Sequence, residues 1–340
     1  MLATLARGSA VCIVLMLAAL VTVLTVSAAP SLRQFGLGFL TSSEWRPNEL
    51  ERPRHGPDGK VLIEDGEVVM ETIAPEFGAR PVIYGTFVSS ALALVFAVPL
   101  SFGAAIFIVR VAPRLRLAGA ISFLVEFLAA VPSIAFGIWG LFVLAPILQE
   151  HVEPGVKSLL GGVPGLGWLF HETVRINGEV IQRPIALTGR DMFCGSLVLA
   201  VMILPIITSV ARDVLRAVPR AQIEGTLALG ATWWQSCVGM LRYSRSGLFG
   251  AVMLGLARAA GETMAVTMVI GNNNQIVASP FAPAQTMSSL LANEFAEAST
   301  DLHRAALLEV ALILLVMSLL FNVVARWLVV GSGSRSSAAH

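Results

Sequence analysis

Residues Gly255–Gly271 read GLARAAGETMAVTMVIG. The stretch is apolar enough to cross a bilayer, yet Arg258 and Glu262 sit inside it, four residues apart. On a helix, positions i and i+4 share a face, so the two side chains can meet. Such an ion pair lowers the cost of carrying two charges in lipid but does not explain their presence. Each central charge costs about 2.5–3.5 kcal/mol on insertion scales, and two leucines would be cheaper. Intramembrane ionisable groups normally face a bundle interior or a water-filled cavity. Arginine stays charged and offers a planar fork of donors suited to oxyanions. Glutamate can hold the arginine rotamer and weaken anion binding enough to permit release. Thr263 and Thr267 add hydroxyls on an adjoining face. Two readings stand here: an anion pathway through Arg258, Glu262, Thr263 and Thr267, or a purely structural pair.

The whole chain supports a membrane setting. Of its 340 residues 56% are hydrophobic and 13% charged, and the mean hydropathy is +0.77. A soluble chain is about 45–50% apolar and about 25% charged, so the class is integral membrane protein. Cys12, Cys194 and Cys237 form no CxxC pair and read as small packing residues. The five histidines lack ligand spacing, so no metal site is expected. Gly59-Lys60 lacks the rest of a phosphate-binding loop, so no nucleotide site belongs to this chain. No Ser/His or His/Glu metal constellation marks an enzyme, and no nucleic-acid partner is expected.

A span needs roughly 20 apolar residues. Six runs qualify, at about 9–29, 82–109, 119–148, 192–211, 247–271 and 305–328. Pro99 and Pro132 lie inside the second and third, where kinks are expected if neighbours satisfy the freed carbonyls. The first run ends in a small-residue pattern, Val26-Ser27-Ala28-Ala29-Pro30, resembling a signal-peptide cleavage site. Its apolar core is longer than such signals carry, and it reads as a retained helix. Arg110, Arg114, Arg116, Arg212, Arg216, Arg220, Arg242 and Arg245 crowd one side, while most acids fall on the other. The positive-inside rule makes the basic side cytoplasmic, with both termini inside. Glu126 in the third run is expected either to pair with Arg258 or to cap a kink near Pro132. Ser133 is a weaker pathway candidate, and Glu309 is expected to snorkel outward.

The chain accordingly divides into an N-terminal span (1–29), an outer loop (30–81), spans two and three (82–148), a second outer loop (149–191), spans four to six (192–330) and a disordered tail (331–340). Within 192–330 lies an inner loop at 212–246. The outer loops carry GPDGKVLIEDGEVVMET and VRINGEVIQRP. Asp65-Gly66 and Asn177-Gly178 mark β-hairpin turns there.

The inner loop, Arg212–Gly247, reads RDVLRAVPRAQIEGTLALGATWWQSCVGMLRYSRSG. Glu224–Leu229 is a helix-forming run that Gly230 can end, and Thr232 can cap a second helix bearing Trp233 and Trp234. Such apolar surface outside the bilayer belongs against a partner or the membrane interface.

Glu224-Gly225-Thr226, three residues, then Gly230, between two late spans, resembles the coupling loop of ABC-importer permeases. Gly225 and Thr226 stand where the family commonly has alanines, and Arg242-Tyr243 where it commonly has Leu-Pro. SRSGLFGAVMLGLARAAGETMAVTMVIGN (244–272) is more specific. Together with FLTSSEWRP, PVIYGTFVSSALALVFAVPLSFGAAIF and EFLAAVPSIAFGIWGLFVLAP, it resembles the PstC-type permease subunit of phosphate ABC importers. The resemblance implies an all-α polytopic protein of the type I ABC-importer permease fold, with six transmembrane helices and small outer hairpins. It implies a PstA-type sister subunit, two cytoplasmic ATPases that use ATP and Mg, and a periplasmic phosphate-binding protein, with the chain in the bacterial inner membrane. It also implies a role in phosphate passage for Arg258 and Glu262, and docking of Glu224, Gly225, Thr226 and Gly230 on the ATPase. No cofactor is expected on this chain. Two alternatives remain: a permease for sulfate, molybdate or phosphonate, and a scaffold or sensor reporting phosphate status.

Overall fold

The computed structural model describes residues 2–54, 61, 63–64, 67–176 and 179–333. Among the described residues, five helical segments are long and apolar enough to cross a membrane: Thr4–Phe35, Arg80–Val111, Ser133–Leu160, Met192–Arg216 and Asp301–Val324. The first lies in helix α1 (Leu2–Phe35), followed by a single turn, α2 (Gly38–Thr41). The second is α3 (Arg80–Ile106), which runs through Pro99 and widens into a π-type turn at Phe107–Val111.

The third apolar run is not one helix. It forms α4 (Ala118–Ala129), a break, and then α5 (Ser133–Trp139), α6 (Ala145–Ile147) and α7 (Glu153–Leu160). The last three are joined by widened turns into the continuous segment 133–160. Pro132 lacks an amide hydrogen and adopts extended ψ just before α5, which accounts for the interruption. The fourth run is α8 (Met192–Arg216). At its outer end Asp191 is the N-cap, its Oδ1 accepting from the Cys194 amide at 2.8 Å.

The inner loop holds α9 (Arg220–Ala228) and α10 (Trp233–Tyr243). The opening stretch belongs to α11 (Arg245–Ala260) and α12 (Met264–Val269), so residues 247–271 form a broken helix and not one continuous helix. A coil from Gly271 leads into α13 (Met287–Glu294), and α14 (Asp301–Gly333) closes the bundle.

The core lies where α3, α8, α11 and α12 meet, around Ala93, Leu199, Ile203, Ile207, Ala251 and Val266. Small residues allow the close approach. A methyl at Gly255 would stand 2.6 Å from Ile207 Cδ1, and one at Gly140 would stand 2.8 Å from Val198 Cγ2. A second cluster joins α13 and α14 to the first outer segment through Phe39, Phe77 and Leu307. There Trp45 Nε1 donates to Glu294 Oε2 at 2.7 Å, and His303 Nε2 meets the same oxygen at 3.0 Å.

The outer loops carry antiparallel ribbons. Strands β1 (Trp45–Arg46) and β6 (Glu76–Phe77), β2 (Leu50–Pro53) and β5 (Met70–Ile73), and β3 (Ile63–Glu64) and β4 (Glu67–Val68) pair as nested layers. Strands β7 (His171–Ile176) and β8 (Glu179–Pro184) form the second hairpin. Asp65-Gly66 and Asn177-Gly178 lie outside the described residues, but Glu64 pairs with Glu67 and Ile176 with Glu179 on either side of them. The expected tail also lies mostly outside them; α14 continues to Gly333.

Candidate functional site

Arg258 lies in the last turn of α11, and Glu262 lies in the break between α11 and α12. Arg258 Nη2 and Glu262 Oε2 are 3.1 Å apart. Burial is unequal: the glutamate side chain is 4% exposed and the arginine 50%. The carboxylate is thus fixed in the protein while the guanidinium, tethered by one corner, faces outward. The helix ends reinforce this placement. A cation is favoured at the C-terminus of α11. The remaining guanidinium donors have no partner among the described residues.

The break is supported from outside the helix. Ser288 Oγ of α13 donates to the Ala260 carbonyl at 3.2 Å, satisfying a group freed by the interruption. The Glu262 amide donates to the Ala259 carbonyl at 3.2 Å. Ser288 was not among the sequence candidates; its only signal was a serine in a region that the hydropathy pattern leaves as loop.

Thr263 and Thr267 sit on the same segment but are engaged. Thr263 Oγ1 donates to the Gly261 carbonyl at 3.3 Å, and Thr267 Oγ1 to the Thr263 carbonyl at 2.7 Å. Each keeps acceptor capacity only, which does not suit a fully ionised anion. They shape the segment after the break; the free donors in its neighbourhood belong to Arg258.

The third run is broken at the same depth. A methyl at Gly137 would stand 3.0 Å from Ala265 Cα, and one at Gly140 would stand 2.9 Å from Val269 Cγ1, so α5 and α12 run in parallel. That register puts Ser133, the first residue of α5, level with Glu262. Two interrupted helices side by side give irregular backbone where a membrane bundle tolerates it only inside protein or along a cavity.

Glu126 does not pair with Arg258, and it lies six residues before Pro132 with no role at the break. Its Oε1 accepts from Arg212 Nη1 at 3.0 Å, while Arg212 Nε donates to Asp213 at 2.9 Å. The two residues belong to α4 and to the inner end of α8, which pack together. Glu309 does not reach outward either. It is 3% exposed, because α1 lies along α14 and covers that face.

The inner loop folds as a helix–turn–helix. Gly230 has φ +83°, a left-handed conformation that favours glycine, and its amide donates to the Leu227 carbonyl at 3.0 Å. Thr232 and Gln235 form a reciprocal capping box at the start of α10. Thr226 is tied inward, donating to the Ile223 carbonyl at 2.8 Å, whereas Glu224, Gly225 and Gly230 are exposed. Leu229 at the tip is 90% exposed. Among the described residues no group of three or more His, Cys, Asp and Glu is arranged to hold a metal.

The profile of the family described as "Binding-protein-dependent transport system inner membrane component" matches residues 97–331. The phosphate transport system permease protein PstC of Mesorhizobium japonicum is 39% identical over 98% of this chain and 90% of its own length. That of Haemophilus influenzae is 38% identical over 94% of this chain and 89% of its own. Among solved structures, the inward-facing MetNI methionine ABC transporter aligns with TM-score 0.49 and 16% identity, over 74% of this chain and 92% of that one. That likeness is too slight to add to the assignment. The family profile and the 38–39% identity over nearly the whole chain to two phosphate transport permeases agree. The chain belongs to the binding-protein-dependent transport system inner membrane components and, within them, to the PstC phosphate transport permease family.

Proposed function

We propose that this chain is the transmembrane permease subunit of an ATP-driven importer that carries inorganic phosphate across the bacterial inner membrane into the cytoplasm. The observation that carries the reading is the half-exposed Arg258 guanidinium, tethered at 3.1 Å to the buried Glu262 beside a break in the helix. Because Arg258 lies on the surface of the single chain, the pathway runs between this subunit and a sister permease of PstA type. Phosphate binds through the free donors of the fork. Glu262 keeps the fork oriented, and its negative charge limits how tightly the anion is held. The conformational work comes from two cytoplasmic ATPases that bind ATP and Mg, docked on Glu224, Gly225, Thr226 and Gly230. A periplasmic binding protein delivers the anion from the outer side, and this chain itself binds no cofactor. Both termini and the inner loop face the cytoplasm.

An arginine fork does not by itself separate phosphate from other tetrahedral oxyanions. Uptake of labelled phosphate into vesicles carrying the full complex, with sulfate, molybdate and phosphonate as competitors, tests the assignment. Inhibition by unlabelled phosphate alone is the expected result. Stronger inhibition by another oxyanion would reassign the substrate.

A further inference from the structure

The inner ends of α3, α10 and α11 enclose a groove of about 570 Å³. Its floor is apolar, formed by Phe102, Val238, Leu248 and Phe249, and its rim carries Arg242 and Arg245. A second groove of about 390 Å³ adjoins it, sharing Phe102 and Leu241 and lined by Pro99, Trp233 and Trp234. The apolar ridge at Phe102 and Leu241 thus separates two apolar channels, with two cations beside one of them.

The cations are unbalanced. Arg242 and Arg245 are exposed and have no carboxylate partner among the described residues. No aspartate or glutamate occurs between Glu224 and Glu262. On α3 the same end leads into Arg110, Arg114 and Arg116. Trp233 and Trp234 are 38% and 62% exposed, at the level where the apolar end of α3 gives way to this basic segment. Tryptophan at that depth and arginine beside apolar surface are the pattern of a membrane interface.

We infer that this double groove is a binding site for one anionic phospholipid of the inner leaflet, its phosphate held by Arg242 and Arg245 and its acyl chains lying on either side of Phe102 and Leu241. A free phosphate ion would leave the apolar channels open to water or to bulk lipid, and a zwitterionic headgroup would bring a third cation to the two already there. An anionic diacyl lipid satisfies both features of the site. The lipid would grip α10, the second helix of the inner loop, and so brace the segment that receives the motion of the ATPase. The cytoplasmic placement rests on the orientation proposed above; the binding itself does not.

The complex is placed in nanodiscs, with Trp45, Trp139, Trp168 and Trp327 and every tryptophan of the partner subunits replaced by phenylalanine, so that only Trp233 and Trp234 emit. Brominated phosphatidylglycerol or brominated phosphatidylcholine is then titrated as quencher. Each arginine near an anionic surface contributes roughly fivefold in affinity, so two give about 25-fold. Half-maximal quenching is therefore expected at a mole fraction of phosphatidylglycerol about 25-fold lower than of phosphatidylcholine. In R242Q/R245Q the two lipids should quench alike. Equal quenching in the unaltered arginine background would overturn the proposal by making the groove ordinary lipid-facing surface. Quenching by neither lipid would overturn it by showing that protein covers the groove, and relief of quenching by millimolar inorganic phosphate would mark a free-anion site. If the reduced-tryptophan background does not assemble, native mass spectrometry of the unmodified complex and R242Q/R245Q decides. A retained phosphatidylglycerol lost in the double variant supports the site; no difference sinks it. Both lipid leaflets are identical in the disc, so a reversed orientation would leave these results unchanged and would show only in thiol labelling.

Discussion

Glu262 is buried and Arg258, its partner 3.1 Å away, is half exposed. The pair is therefore asymmetric: the carboxylate orients, and the guanidinium is offered to the surface. A pair serving only to neutralise two charges in lipid would gain most by burying both, because exposure of one side leaves unpaired donors. The asymmetry yields two opposite expectations.

Arg258→Lys keeps the charge but loses the planar fork. Uptake should fall at least tenfold while the complex still purifies intact. Glu262→Gln removes the opposing charge, so phosphate should bind more tightly and turnover should fall because release slows. Single-turnover binding and steady-state uptake on the same vesicles separate the two effects. Equal losses in both steps for both variants would count against distinct roles.

The tip of the inner loop makes a conformational demand. Gly230 stands at φ +83°, whereas proline is fixed near −65°. Gly230→Pro should uncouple ATP hydrolysis from uptake while leaving the chain in the membrane. Glu224→Lys should do the same through the exposed face of α9. Normal ATP-driven uptake by either variant would refute the docking assignment.

Orientation is tested in a Cys12→Ser background. A cysteine at Glu51 or Ile181, both exposed on the ribbons, should react with an impermeant thiol reagent added from outside. One at Gln222 should not. Labelling at Gln222 in cells with a permeabilised outer membrane would invert the topology.

Close packing predicts which glycines tolerate a methyl group. A Cβ at Gly85 would run into the Gln285 backbone carbonyl, whereas one at Gly8 meets nothing within 4 Å. Backbone cannot move aside as a side chain can, so Gly85→Ala should cost about 1–3 kcal/mol and lower the unfolding temperature in detergent. Gly8→Ala should not.

Asp191, just outside the α8 span, is held above the usual carboxylate range, at about 8, chiefly by burial. The Cys194 amide opposes the shift and the neighbouring Glu153 adds to it. A carboxyl that stays protonated when folded but ionises when unfolded stabilises most below its unfolded value of 3.8. That contribution declines as pH rises from there towards about 8. Asp191→Asn keeps an oxygen for the cap and has no charge to bury. Its unfolding temperature should fall less than that of the unaltered chain between pH 5 and pH 8.

Much of this was legible in the residues themselves. Hydropathy runs place the spanning segments because lipid demands their length, and the pairs Glu64–Glu67 and Ile176–Glu179 fall where Asp-Gly and Asn-Gly mark turns. The i, i+4 spacing of Arg258 and Glu262 gave their contact directly. The breaks were harder to see. A hydropathy run averages over Gly261–Thr263, and only a neighbour such as Ser288, 28 residues away, makes the interruption affordable. The Glu126–Arg212 pair spans 86 residues and depends on how α4 lies on α8, which no local pattern encodes. The burial of Glu309 likewise depends on α1, from the other end of the chain.

The most direct test of the central claim is phosphate uptake by the double variant Arg258→Leu/Glu262→Leu in the assembled complex. Removing both partners also removes both desolvation costs, so a structural pair can be replaced without harm. A pathway arginine cannot. The account predicts a complex that assembles normally, hydrolyses ATP and transports no phosphate. Near-normal uptake by that variant would contradict it.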